Sequence, residues 1–183
     1  MLDLRRMLSS DLVPHLDDSH AKHAAVMVAI YGKEPTVIMT EKPKSMPQHG
    51  GEISFPGGKL SEQDCDLLDT AIRETMEELS LDIPKESVVG QLGHVQTRNS
   101  GFAIIPFVAI LDYVESLQPN SEVEEVLHIP LIPLLRTLRL DDDEGHRALF
   151  EAYSLTYGDK IIWGASARIL KQIADIFRQN NLL

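Results

Sequence analysis

Three glutamates, Glu74, Glu77 and Glu78, crowd into five positions at the end of the stretch "SFPGGKLSEQDCDLLDTAIRETMEEL", residues 54 to 79. At about 100° per residue, a helix places them within one arc of about 100°, opposite Leu68, Ile72, Thr75, Met76 and Leu79. Like charges three or four positions apart each cost an isolated helix about 0.2–0.5 kcal/mol. A divalent cation reverses the sign of that term. Mg²⁺ and Mn²⁺ prefer oxygen ligands and leave positions for waters and substrate phosphates. Glu74 and Glu78, one turn apart, can converge on one ion, and Glu77 beside them can take a second ion or orient a water. Arg73 can hold one of these carboxylates by a bidentate ion pair. The competing reading is a solvated helix face, and the residues just upstream bear on the choice.

Those residues are Pro56, Gly57 and Gly58. Two glycines after a proline permit a tight turn and a close approach of backbone to an anionic ligand. The carboxylate helix is expected from about Asp66 to Leu79, ending before Pro84. Ahead of the glycines, "HAAVMVAIYG" (23 to 32) and "TVIMTEK" (36 to 42) read as two strands of a hairpin, and "PKSMPQHGG" (43 to 51) as a loop. After the helix, residues 88 to 97 and 102 to 111 read as two strands joined by a turn at Arg98, Asn99 and Ser100. "VLHIPLIPLLRTL" begins as a strand and ends as a short helix, and residues 146 to 164 read as a hairpin turning at Tyr157 to Asp159. A leading helix over residues 2 to 11 and an amphipathic C-terminal helix from "ASARILKQIADIF" complete the pattern. Hairpins outnumber crossovers, which predicts a mixed sheet flanked by helices. Trp163, before the last helix, is expected to pack.

The chain has 183 residues with 43% apolar and 25% charged, a globular composition in which one domain over residues 1–183 is expected. A net charge of −11 and the lack of a basic run argue against nucleic acid and anionic membrane surfaces as partners. A polyanionic substrate then needs local help from lysines or metal ions. The single cysteine, Cys65, excludes an internal disulfide and fits a reducing compartment. With no signal-like or membrane-length apolar run at hand, a cytoplasmic location is expected. The apolar terminal helices allow a homodimer or equally cover their own sheet. The histidines at 15, 20, 23, 94, 128 and 146 have no zinc spacing.

From Gly58 to Leu81 the chain resembles the Nudix hydrolase family, whose box reads G-x5-E-x7-R-E-U-x-E-E-x-G-U, with U a bulky aliphatic. The match runs Gly58, Asp64, Arg73, Glu74, Glu77, Glu78 and Leu81. Asp64 stands for the first glutamate, one extra residue precedes Arg73, and Thr75 and Ser80 occupy the aliphatic and glycine positions. The extra residue is shared by the subgroup that resembles coenzyme A pyrophosphatases. So is the upstream pattern Ile38, Met39, Thr40, then His49, Gly51, Glu52, Ile53, Ser54, Phe55, Pro56, Gly57 and Gly58. Pro47 stands where that subgroup usually has an arginine, which leaves Lys42 and Lys44 as the basic residues of the segment.

The resemblance implies a Nudix-like α/β/α sandwich, a mixed α/β fold with a mixed central sheet. Residues 1–22 would be a leading helix and connector, and 23–176 the family-like core. It also implies Mg²⁺- or Mn²⁺-dependent cleavage of a nucleoside diphosphate linked to another moiety by water attack on phosphorus. Coenzyme A or an acyl-CoA is the leading substrate, giving 3′,5′-ADP and a 4′-phosphopantetheine product. The alternatives are another nucleotide (a nucleotide sugar, a dinucleotide, a damaged nucleotide) or a non-catalytic nucleotide-sensing module. Glu74 and Glu78 are then the main metal ligands and Glu77 a further ligand or general base, with Arg73 in the catalytic group. Gly58 supports the metal through its backbone and Asp64 acts as an outer ligand through water. A remote carboxylate, Glu122, Glu124 or Glu125, completes the site or acts as base. Lys42, Lys44, His49, Gly51, Gly57 and Glu122 are the candidate substrate contacts, with His49 touching phosphate or orienting Glu52.

Overall fold

The computed structural model describes residues 3–15, 22–46, 50–97, 101–140 and 152–183. β1 (Lys22–Tyr31) is apolar at nearly every position because both of its faces are covered. Ala25, Met27 and Ala29 face one layer, and Val28 and Ile30 face the other. It runs parallel to β7 (Phe102–Leu111) along its whole length, from Lys22 opposite Phe102 to Tyr31 opposite Leu111. A hairpin leads to β2 (Thr36–Glu41), which pairs with β1 only beside the turn, at Ile30 with Val37 and Tyr31 with Thr36.

Beyond that turn the two strands part, and residues 53 to 59 fill the wedge between them. The far end of β2 pairs with β3 (Ile53–Ser54), while the first half of β1 pairs with β4 (Gly57–Lys59). β8 (Glu125–Pro130) covers the other edge of β2, and β5 (Val88–Gln91) and β6 (Val95–Gln96) lie antiparallel to β7. The result is a mixed eight-stranded sheet. A smaller sheet of β9 (Arg139–Leu140), β10 (Tyr153–Tyr157) and β11 (Lys160–Ile162) stands beside it.

One face of the large sheet carries α2 (Leu67–Leu79), whose Leu67, Leu68, Ala71 and Leu79 pack on Met27, Ile38, Ile105 and Phe107. The opposite face carries α4 (Gly164–Gln179) through Leu170, Ile173 and Phe177, with α1 (Leu4–Leu8) and α3 (Leu131–Arg136) beside it. The α/β/α sandwich with a mixed sheet expected from the sequence is the fold observed.

Four local expectations change. α1 covers only Leu4–Leu8, because Ser10 turns extended and exchanges hydrogen bonds with β5: its N–H donates to Val89 O and its Oγ accepts from Gln91 N. Gly90 makes room for this crossing, since a Cβ there would stand 2.4 Å from Leu8 O. The predicted strand over residues 88 to 97 is broken into β5 and β6, with a register shift between Val88 and Gly90. α2 is rotated from the predicted face, so that Met76 is 41% exposed while Glu78 is 5% exposed. Trp163 is 40% exposed at the N-cap position of α4. The turn expected at Arg98, Asn99 and Ser100, and residues 146 to 151 of the predicted hairpin, lie outside the described residues.

The glycine position of the box is held by Ser80, which caps α2 in the left-handed conformation at φ 54°. A side chain in that conformation is strained, and glycine is not. Ser80→Gly is therefore expected to stabilise the fold by about 0.5–1 kcal/mol, read as a rise in the denaturation midpoint with turnover unchanged.

Candidate active site

α2 starts where Asp66 caps it, its carboxylate accepting from Asp69 N at 2.9 Å. Along its buried stripe, Ala71, Thr75, Glu78 and Leu79 recur at helical spacing, and Thr75 satisfies its buried hydroxyl on Ala71 O at 2.7 Å. This rotation sends Glu78 toward β4 and leaves Glu74 and Glu77 at the rim.

The two glycines of β4 meet those carboxylates with no space to spare. Gly57 has φ 154°, and a Cβ there would stand 2.3 Å from Ala25 O, so the close approach to β1 requires glycine. At Gly58 a Cβ would stand 2.3 Å from the carboxylate carbon of Glu74. The Gly57 N–H acts on the Glu78 carboxylate, yet Glu78 Oε2 is buried without a hydrogen-bond partner. Burial pushes the Glu78 pKa up to about 7; the positive charge of Lys42 and the Gly57 N–H oppose this, while the negative charges of Glu74 and Glu122 add to it.

Arg73 organises the rim. Its Nε donates to Asp64 Oδ1 at 2.8 Å and its Nη2 to Asp64 Oδ2 at 3.0 Å, a bidentate pair. Nη1 lies 3.0 Å from both Glu74 Oε1 and Glu77 Oε2, and Nη2 reaches Lys59 O at 3.4 Å. Asp64 is held further by Ser61 N and the Thr70 hydroxyl, each at 2.9 Å. The Arg73 bonds are the main reason its pKa falls to about 2, against the effect of burial. Its two oxygens thus serve Arg73, Ser61 and Thr70. With Glu74 and Glu77 turned to Arg73, no three His, Cys, Asp or Glu side chains among the described residues form a ready metal cage.

The loop before β8 packs against the end of α2. Gln118 N donates to Leu79 O and Asn120 N to Glu78 O, each at 2.9 Å, which satisfies two carbonyls at the end of α2. Glu122 follows, its N–H held by Asn120 Oδ1 at 2.8 Å, and its charge acts on Glu78. Glu125 is instead 2.9 Å from Lys160 Nζ, which also binds Glu41, and Glu124 donates its N–H to Glu41 O. Lys42 exchanges backbone bonds with Gly51 and Glu52: its N–H donates to Glu52 O at 3.0 Å and its carbonyl accepts from Gly51 N at 2.9 Å. Lys44 lies alongside Gly51, whose φ is 77°. His49 and Pro47 lie outside the described residues. Thr70 and the Glu41–Lys160–Glu125 group have no periodic or motif signal in the sequence, because their partners are distant along the chain.

An oxygen-only donor set, an unpartnered buried carboxylate oxygen and a glycine that leaves space at Glu74 all fit a hard divalent cation. The NUDIX domain family model matches residues 21–153. The chain belongs to the Nudix family. It is a hydrolase acting on a phosphoric anhydride bond. An uncharacterized Nudix hydrolase, NudL, of Yersinia enterocolitica is 34% identical, over 85% of this chain and 82% of its own. The mitochondrial coenzyme A diphosphatase NUDT8 of Mus musculus is 38% identical, over 74% of this chain and 69% of its own. Among solved structures, a MutT/nudix family protein from Enterococcus faecalis superposes with a TM-score of 0.58 at 17% identity, covering 92% of this chain and 64% of that one. The Nudix domain of Shewanella oneidensis NrtR, solved with ADP ribose, has a TM-score of 0.52 at 20% identity, covering 63% of this chain and 77% of that one. These two establish the shared fold. No helix among the described residues of this Nudix protein is long and apolar enough to cross a membrane.

Two predictions follow from the site geometry. Gly58→Ala meets only the mobile end of Glu74, so the fold is kept while activity falls about 10- to 100-fold; Gly57→Ala meets backbone and lowers the melting temperature itself. Circular dichroism and turnover on both variants check this. For the chelated protein, Glu78 binds its proton more tightly folded than unfolded, so stability falls as pH rises from 4.5 to about 7 and then levels. The loss from this group is about 3 kcal/mol, and in Glu78→Gln, measured by denaturant titration at pH 5 and pH 8, it disappears.

Proposed function

We propose that this Nudix hydrolase splits the diphosphate of coenzyme A or an acyl-CoA, yielding 3′,5′-ADP and a 4′-phosphopantetheine product. The observation that carries the diphosphatase reading is the buried, partnerless Glu78 oxygen beside Glu74 at the glycine turn. Support for the coenzyme A substrate comes from the one-residue-longer box, the "GEISFPGG" approach to it and the likeness to a relative named a coenzyme A diphosphatase.

In this reading Glu74 and Glu78 hold Mg²⁺ or Mn²⁺, with Glu77 as a further ligand or the base and the Gly58 backbone beside them. The cation supplies charge neutralisation on the diphosphate and a lowered pKa for the attacking water. Arg73, itself fixed by Asp64, holds Glu74 and Glu77 in place at the rim, where they would be available to the cation. Glu122 stands close enough to influence the proton on Glu78, and Lys42 places a positive charge on the same side. Such fixed charges lower the barrier where negative charge builds on the phosphoryl oxygens.

A panel of coenzyme A, acetyl-CoA, ADP-ribose, nucleotide sugars and dinucleotides, incubated with Mg²⁺ or Mn²⁺, tests the substrate. Coenzyme A turnover with release of 3′,5′-ADP is expected; its survival beside cleavage of another nucleotide assigns that nucleotide instead. Glu78→Gln is expected to cut kcat by about 10³-fold or more with the fold intact. Wild-type turnover in that variant refutes the assignment of Glu78, and no turnover of anything by the intact protein favours a sensing module.

A further inference from the structure

A cleft of about 440 Å³ opens at the start of β1 and β7, lined by Lys22, His23, Lys59, Leu60 and Phe102. The volume lies in the range of small-molecule sites, about 300–1,000 Å³. Two ammonium groups converge on one aromatic ring there, Lys22 Nζ at 5.6 Å and Lys59 Nζ at 5.4 Å from the Phe102 centroid. Neither lysine has an acidic partner among the described residues. In a chain of net charge −11, two cations held together with no acidic partner among the described residues concentrate positive charge locally.

The sheet register explains how they meet. Lys22 stands opposite Phe102, and Lys59 opposite Ala24, so all three project to the same face of the sheet. Gly58 pairs with Ala25 and faces α2, so Lys59 leaves β4 on the face opposite the carboxylates while its own carbonyl takes the Arg73 bond. β4 is therefore a wall shared by the glutamate site and the cleft.

We infer that the Lys22–Lys59–Phe102 cleft binds the phosphomonoester of a phosphorylated nucleoside, with the flat base against Phe102. Two ammonium groups suit a dianionic phosphate, and the half-buried ring offers an aromatic contact for the base. On the coenzyme A reading above, on which this assignment of the source rests, the occupant is the 3′-phosphoadenosine end of the substrate.

The test uses Lys22→Gln and Phe102→Leu, neither of which touches the glutamate site. Calorimetric binding of adenosine 3′,5′-bisphosphate and of 5′-AMP is measured with EDTA present. The wild type is expected to prefer the bisphosphate by about tenfold, Lys22→Gln to lose most of that margin, and Phe102→Leu to weaken both ligands alike. In turnover, Lys22→Gln is expected to raise KM for coenzyme A by about tenfold with kcat unchanged, and to leave dephospho-coenzyme A unaffected. Wild-type affinity for the bisphosphate in both variants overturns the cleft. If coenzyme A is not cleaved at all, the substrate reading fails separately. Bisphosphate binding that still depends on Lys22, and does not compete with the true substrate, then supports the cleft as a site for a free nucleotide.

Discussion

Burying the Glu78 carboxylate is the constraint around which the site is arranged. A carboxylate taken out of water favours its neutral form, and one of its oxygens has no hydrogen-bond donor. The fold meets this cost by packing the same helical stripe, Leu67, Leu68, Ala71 and Leu79, into the sheet, so that the helix cannot rotate Glu78 into solvent without losing its core. Gly57 N–H and the charge of Lys42 offset part of the cost. A divalent cation would remove most of the rest.

The wedge between β1 and β2 makes that arrangement possible. Because β2 leaves β1 after the turn, "ISFPGGK" can enter the sheet as β3 and β4 and bring two glycines under α2. The loop before β8 then closes the end of α2 through Gln118 and Asn120 and delivers Glu122 from the far side. Arg73 has the opposite task at the rim: it neutralises Glu74 and Glu77 while Asp64 and Thr70 keep its own plane fixed. The bidentate pair with Asp64 shows what the first acidic position of the box contributes here, orientation of the arginine through the loop.

Much of this was legible from local patterns. The strands ahead of the glycines, the carboxylate helix ending at Leu79, the short helix after β8 and the amphipathic last helix follow from periodicity and from the placing of proline and glycine. The errors have one origin. Periodicity assigned Met76 to the packed face and Glu78 to the solvent face, because apolar character was used to choose the buried stripe. A buried carboxylate breaks that rule, since the groups that offset its burial, Lys42 and the Gly57 N–H, lie far away in the chain. The leading helix was overestimated for a related reason: Ser10 found hydrogen bonds on β5, about eighty residues downstream, that outweighed continuing the helix.

The residue order alone set the carboxylate chemistry and its local spacing: three glutamates on one helix, an arginine beside them, and a glycine turn upstream. It determined the family as well, since those features are carried by contiguous residues. Tertiary structure decided which glutamate is buried, that Asp64 orients Arg73, and that Lys160 ties Glu125 to Glu41. It also brought Lys22 and Lys59 over Phe102 through strand pairing. The physical reason is that local spacing sets which side chains share a face, whereas burial and charge pairing depend on neighbours supplied by distant strands.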